Sequence, residues 1–353
     1  MQEEPLVTIV VAPRERFSYA RNSLESVLEH TDLPHRIVYV DGGSPGPVRR
    51  YLAKRARERD FELIRTEHYL SPNRARNLGL EKVRTKYVVF MDNDVVVTPG
   101  WLGPLVQCAE ETGATVVSPL ICQGFPLHTE VHCAGGVSAI EEEQAEDGVR
   151  RHLVERIFLQ GRKLADVRDQ IERGPTRLAE FHCMMVRTAF FEEHGPLDGQ
   201  LLNHKEHVDF CLTVENAGGT VYLEPDSLMT YVTVPPMELS DVPYYTLRWS
   251  DHWMLASLER LRTKWDLTYD AYFEKRMTMM GARRFSAIIR PMVRKVTRHG
   301  RYPKAARKLE AWMRRADRKV NRLMTDRYAR RHFKGESIPT LSQPVSSNAV
   351  RAS

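Results

Sequence analysis

Two carboxylates separated by one residue follow an apolar run in Phe90-Met91-Asp92-Asn93-Asp94. Held in a small volume, such charges repel unless a cation lies with them. Oxygen ligands of this kind suit Mg2+ or Mn2+, above all when a diphosphate completes the coordination. Asp-Asn-Asp is equally ordinary turn chemistry, so on its own the segment has two readings. Asp41 precedes Gly42-Gly43-Ser44-Pro45-Gly46-Pro47. A carboxylate there can accept hydrogen bonds from a nucleobase or a ribose while the glycines permit close approach, or it can simply initiate the turn. Arg76 and Asn77, in Asn73-Arg74-Ala75-Arg76-Asn77, stand near a helix start, where guanidinium groups and helix amino termini both attract anions. Glu206-His207-Val208-Asp209 opens a later helix. Glu206 and Asp209 share a face, with His207 roughly 100° round. A carboxylate or imidazole at this place can take a proton from a hydroxyl, although acids at a helix start are also common.

The elements that position these groups alternate. Leu6–Ala12, Arg36–Val40, Phe61–Arg65 and Tyr87–Met91 read as buried strands, separated by helical stretches over about 17–29, 48–59 and 72–83. Continuous apolar strands with crossover helices imply an α/β fold, a mainly parallel sheet covered on both faces. Ligands of such sheets bind beyond the carboxyl ends of the strands, which here carry Ala12-Pro13-Arg14, Asp41-Gly42-Gly43 and Asp92-Asn93-Asp94. Further strands are expected at 116–121, 133–137, 181–186 and 220–223. Glu141–Asp147 reads as an exposed acidic linker, and residues 138–178 as a helical insertion centred on a helix or helical hairpin over His152–Glu172. Tyr244–Trp265 reads as one helix.

The net charge of +6 over 353 residues averages two unlike parts. Residues 281–335 hold 19 Lys/Arg against 3 Asp/Glu, whereas residues 1–280 hold 32 against 42. An acidic body carries a basic tail. The tail has helical period: Phe285, Ile288, Ile289, Met292, Val293 and Val296 line one face, and Ala305, Leu309, Trp312, Ala316, Val320 and Leu323 another. We therefore expect a body over residues 1–270, a basic amphipathic extension over 271–335 and a disordered end over 336–353. The extension can lay its Phe285/Ile288/Ile289/Met292 face on an anionic membrane surface, or pack that face on the acidic body or on another subunit, which leaves an oligomer open. The amino terminus lacks a basic-then-apolar leader, and no run approaches the ~18 apolar residues of a membrane span. The five cysteines show no CxxC pairing and read as buried thiols. The expected location is cytoplasmic, at the inner face of the cell membrane.

In combination these segments resemble the family 2 glycosyltransferases of the GT-A fold over about residues 6–265. The resemblance rests on Asp41 after the second strand, Asn73-x-x-Arg76-Asn77, Asp92-Asn93-Asp94, and Glu206-His207-Val208-Asp209 followed by Ala217-Gly218-Gly219 and Glu224-Pro225. It implies a nucleotide-diphosphate sugar donor (UDP, GDP or dTDP), inversion at the anomeric carbon, a divalent metal (Mn2+ or Mg2+) and a glycan, lipid-linked or other hydroxyl acceptor. It implies that Asp41 contacts the base, that Arg76 stands in the donor loop, and that Asp92 contacts ribose or sugar and shares the metal with Asp94. Ala12, Pro13, Arg14, Gly43, Asn77 and Asn93 join them as donor-binding candidates. Phe181–Arg187, before Gly195-Pro196-Leu197-Asp198, resembles the segment lining donor sugar and acceptor. The family usually reads Glu-Asp-x-Asp where this chain has Glu206-His207-Val208-Asp209. The base is therefore Glu206 or His207, with Asp209 orienting the helix or binding acceptor hydroxyls. His252, between Trp249 and Trp253, is the candidate third metal ligand.

Two rival readings are weaker. A sugar nucleotidylyltransferase needs a glycine-rich loop after the first strand, and Ala12-Pro13-Arg14-Glu15-Arg16 has no glycine. A nucleic-acid-binding protein acting through the tail would have its acidic body opposing it, so no nucleic acid is expected. His128 and His132 match a zinc-helix motif only loosely, because the order H-E-x-x-H is absent.

Overall fold

The computed structural model describes residues 4–146, 148–233, 237–297 and 302–333; the expected disordered end over 336–353 lies outside them. The first half alternates as expected: β1 (Val7–Ala12), α1 (Ala20–His30), β2 (His35–Gly42), α2 (Gly46–Arg59), β3 (Glu62–Thr66), α3 (Pro72–Leu80), β4 (Tyr87–Asp92), β5 (Val95–Val97) and α4 (Leu102–Thr112). After β6 (Val116–Gln123) and β7 (Val131–Cys133) come β8 (Gly136–Ala145), β9 (Gly148–Ile157), α5 (Leu164–Val167) and β10 (Gly174–Thr176). Then follow β11 (Cys183–Arg187), α6 (Ala189–His194), α7 (Glu206–Asn216) and β12 (Val221–Tyr231).

The main sheet has ten strands in the order β10-β12-β6-β11-β4-β1-β2-β3, with β5 on β12 and β7 on β6. β1 lies between parallel β2 and β4. Alternate β1 residues enter opposite layers: Val7, Ile9 and Val11 face α1, α2 and α4, whereas Val10 faces the layer of α3, α6 and α7. This is the two-sided burial that a continuous apolar strand needs. The α3 layer sits very close to the sheet, since a Cβ on Gly79 would lie 2.2 Å from Val10 Cγ1. Ala12 pairs with Asp92, so the carboxyl ends of β1 and β4 meet, with that of β2 alongside.

The expected helical insertion is a β-hairpin. β8 and β9 pair antiparallel from Gly136↔Ile157 to Ala145↔Gly148. The acidic run read as a linker lies in β8, where Glu141, Glu142 and Glu143 face His152, Arg151 and Arg150. Opposite charges directly across a pair stabilise it. Leu153 turns inward to a cluster with Leu258 and Leu261.

The expected helix Tyr244–Trp265 breaks in two, α8 (Val242–Arg248) and α9 (Asp251–Lys264), because the Ser250 side chain accepts from Trp253 N and caps a new start. The tail comprises α10 (Ala271–Thr278), α11 (Ala282–Arg284), a π turn (Phe285–Ile289), α12 (Arg290–Val296) and α13 (Pro303–His332). It docks on the body. Fully buried Arg284 pairs with Asp251 and Asp317 at 2.9 and 2.8 Å, and Asn321 donates to Thr246 O at 3.0 Å. Phe285, Ile289 and Val293 pack against Leu309 and Met313 of α13. The face assigned to lipid is therefore largely internal, and Met292 and Val296 alone of its large side chains stand well out. Among the described residues no helix is long and apolar enough to cross a membrane. All five cysteines are buried and unpaired.

Candidate active site

Asp92 ends β4 fully buried and is neutralised by its neighbours. Arg14 Nη1 donates to Oδ2 at 2.9 Å and Arg76 Nη2 to Oδ1 at 2.9 Å. Burial would raise this carboxyl, but the two guanidiniums outweigh it and hold it below the ordinary carboxylate range. Each oxygen of Asp92, one of the two expected metal ligands, thus already accepts from an arginine. Asp94, two residues on, is the opposite. It is fully buried and neither carboxylate oxygen accepts a hydrogen bond. Burial first, then the charges of Asp92 and Glu15, push it well up. Two orphaned buried oxygens are costly unless a cation serves them, and of the two carboxylates Asp94 is the one left without hydrogen-bond partners.

The other expected donor residues divide between ligand-facing and structural. Asn93 accepts from Arg14 N at 3.1 Å and donates to Arg16 O at 2.8 Å, clamping the loop after β1. Ala12 packs with Val40, Leu70 and Ala75. Pro13 O accepts from Tyr244 Oη at 3.1 Å. Asn77 is turned away from the donor edge, pairing with Leu197 through N–H and C=O at 3.0 and 2.8 Å. Asp41 accepts from Ser44 N and Oγ, both at 2.9 Å, and from Arg65. Gly43 adopts φ +80, and a Cβ there would meet the His68 backbone at 3.0 Å. This loop accordingly needs glycine.

A cavity opens beside Arg14 and Arg76, the two partners of Asp92. Of the expected residues, Arg14, Arg76, Glu206 and His207 line it. Glu206 Oε1 accepts from Arg248 Nη2 at 3.1 Å. Burial alone would raise Glu206, but Arg248 and Arg76 bring it below its ordinary value. His207 Nε2 accepts and donates no hydrogen bond and lies 3.4 Å from Glu155 and 3.8 Å from Glu180. Asp209 is directed elsewhere: Lys264 Nζ and Trp265 Nε1 each donate to it at 2.8 Å. It ties α7 to the end of α9, the orienting alternative. His252 does not join the carboxylates. It is buried among α9 and α13 with Asp326 at 3.8 Å as its nearest charge, so the expected third metal ligand is a packing residue.

Several wall residues escaped the sequence reading. Glu155 enters from β9 and takes Lys205 Nζ at 2.6 Å, Tyr272 Oη at 3.0 Å and Arg276 Nη2 at 2.9 Å. Lys205 reaches it from a left-handed backbone, φ 66, just before α7. Glu180, His182 and His132 line the same wall. Tyr231, stacked on His182 at 3.9 Å, donates to Glu15 at 2.9 Å. Arg283 comes from the tail, 3.5 Å from Glu15. His182 carried a signal, being the polar residue in Phe181-His182-Cys183-Met184-Met185-Val186. Glu155 carried none once its strand was taken for a helix.

Comparison with known proteins agrees with this architecture. The profile of Glycosyl transferase family 2 matches residues 8–195. A pre-mycofactocin glycosyltransferase from two strains of Mycobacterium tuberculosis is 25% identical over 228 residues, covering 64% of this chain and 42% of the relative. The chain thus spans less than half the length of these relatives. The crystal structure of GalNAc-T7 with UDP, GalNAc and Mn2+ superposes with a TM-score of 0.50 at 15% identity, over 80% of this chain and 57% of that one. That likeness speaks to the fold. With a family match across more than half its length, the chain belongs to glycosyl transferase family 2 and has a GT-A fold.

Proposed function

We propose that the cavity transfers a sugar from a nucleotide-diphosphate donor to an acceptor hydroxyl by direct displacement, with inversion, and that His207 is the base. The observation that carries this reading is the opposition of two groups at one cleft. At the carboxyl edge of the sheet, Arg14 and Arg76 converge on Asp92, two residues before the unpartnered Asp94. Across the cavity, His207 presents an unbonded Nε2 backed by Glu155 and Glu180.

The imidazole takes the acceptor proton, and the two carboxylates stabilise the imidazolium that forms. Glu206 is the poorer base because Arg248 holds its carboxylate. Arg14 and Arg76 offer guanidinium N–H groups where diphosphate charge grows as the sugar leaves. Asp94 would hold Mn2+ or Mg2+, which when bound would offset the negative charge of the diphosphate. The GalNAc-T7 structure, with its UDP and Mn2+, supports testing UDP-sugars first. Direct displacement needs no enzyme nucleophile, in keeping with five buried cysteines. Incubation with UDP-, GDP- and dTDP-sugars should release the nucleoside diphosphate from one of them, with Mn2+ or Mg2+ and not with chelator. Release from none of them, in either metal, would defeat the proposal.

A membrane-surface role remains for the tail, on a different face from the one first expected. Trp312, Val320 and Leu323 of α13 are 65%, 61% and 69% exposed, with Arg315, Lys319 and Arg322 among them. Apolar side chains flanked by cations suit an anionic bilayer, and would hold the enzyme near a lipid-linked acceptor.

A further inference from the structure

We propose that His132, Glu180 and His182 form a second divalent-metal site, in the cavity wall and separate from Asp94. It goes beyond the sugar-transfer reading and does not depend on it. One ring nitrogen of each histidine and a Glu180 oxygen all lie within 4.8 Å of one another. His132 Nε2 stands 2.6 Å and His182 Nε2 3.6 Å from the same atom, Glu180 Oε2. The rings meet edge to face, with centroids 5.0 Å apart, so their lone pairs converge from two directions.

What surrounds the three residues prepares them as ligands. Gln123 Nε2 donates to Glu130, which turns Gln123 Oε1 towards His132 Nδ1 at 2.8 Å. That oxygen can only accept, so it offers the His132 proton a place on Nδ1, and a metal would take Nε2. His182 Nδ1 lies 3.0 Å from Arg14 Nη1 and 3.2 Å from Asp92 Oδ2, the oxygen to which Arg14 donates; a metal taking Nε2 would place the ring proton on Nδ1, towards Asp92. A carboxylate or amide oxygen behind each metal-binding imidazole is the arrangement that fixes ring and tautomer. Tyr231, stacked on His182 and anchored by Glu15, holds the ring plane. Glu180 Oε2 is buried without a hydrogen bond. A carboxylate oxygen facing imidazole lone pairs needs a cation between them, either a proton or a metal.

Two imidazoles and one carboxylate select a borderline transition ion, Zn2+, Fe2+ or Co2+, over Mg2+ or Ca2+. Three protein ligands leave a position open towards the cavity, as in reactive rather than structural sites. Asp92, the first acid of the Asp-x-Asp segment, thus serves this site from behind through His182, while Asp94 serves the other.

The test uses the chelator-treated full chain without any sugar nucleotide, titrated with Co2+ and followed by its visible absorption, then with Zn2+ in equilibrium dialysis. One Co2+ per chain, displaced by Zn2+, is expected in the wild type and in Asp94→Asn. The band should vanish in His132→Ala and His182→Ala, and Gln123→Leu should weaken binding by about 10–100-fold. Gln123 is half-buried and holds no ion itself, so that variant reports even where a histidine variant fails to fold. Absence of tight binding in the wild type would show a shared proton only and overturn the proposal. So would a band that survives His182→Ala or one lost in Asp94→Asn. Donor turnover plays no part in the measurement, so failure here leaves the sugar-transfer reading standing.

Discussion

The two walls of the cleft are made in different ways. The sheet-edge wall comes from Arg14, just after β1, and Arg76 of α3, both held by Asp92 at the end of β4, where in-register strands bring Ala12 level with Asp92. The facing wall gathers Glu155 from a hairpin, Glu180 and His182 around β11, Lys205 before α7, Arg248 from α8 and Arg283 from the tail. The first is set by local strand pattern and the second by contacts far apart in sequence. Charge follows the same division. On the sheet edge Asp94 is left without a partner, whereas Glu155 on the facing wall has three donors. The Asp92/Asp94 pair is thus split into one member held by two arginines and one without a hydrogen-bond partner.

The comparison can be broken from the facing wall first. His207→Gln should lower kcat by about 10²–10⁴-fold with KM little changed, the usual worth of a positioned base. Glu206→Gln should cost visibly less. Steady-state donor turnover in the presence of acceptor decides between them, and the reverse ranking would make Glu206 the base. Next in size is the tail's attachment to that wall. Arg284→Ala leaves Asp251 and Asp317 without their cation at a buried junction and should destabilise the protein by about 3–5 kcal/mol. Urea unfolding with tryptophan fluorescence reads this, and an unchanged midpoint would mean that the tail is not integral.

On the sheet side, Gly79→Ala should cost about 1–3 kcal/mol, because its methyl would overlap Val10. A thermal melt measures the loss, which should appear without any change in KM. The smallest effect on the fold is at the tail's outer surface. Trp312→Asp should change stability by no more than about 0.5 kcal/mol, yet reduce sedimentation with anionic vesicles. Unchanged sedimentation would remove the membrane reading.

The same division explains what could be read from the sequence. Asp41, Asp92 and Asp94 were found because each follows an apolar strand whose pattern is complete within a few residues. Glu155 was not. Arg150, Arg151 and His152 interrupt β9 with polar residues, and the strand is recognisable only through its partner, Glu141 to Glu143, eleven to seven residues away across the hairpin pairs Glu141↔His152, Glu142↔Arg151 and Glu143↔Arg150. The break between α8 and α9 turns on the Ser250 cap, a local signal outweighed by the apolar run on either side. His252 drew notice for its residue type, but α13 covers it, and no local pattern could show that. Asp209 and Asn77 stand on the right helices and turn to neighbouring backbone and side chains, a matter of tertiary packing. In the tail the apolar period was correct and its partner was not, since Phe285 and Ile289 meet α13. Periodicity reveals that a face will be covered without revealing by what.

The proposed sugar-transferring site places its cation on Asp94 rather than Asp92. Single-turnover cleavage of a UDP-sugar across an Mn2+ titration, comparing wild type with Asp94→Asn, tests it most directly. The prediction is a loss of about 10²–10³-fold in the cleavage rate, the scale of one removed transition-state contact, together with loss of the Mn2+ dependence. A rate and Mn2+ dependence equal to those of the wild type would contradict it.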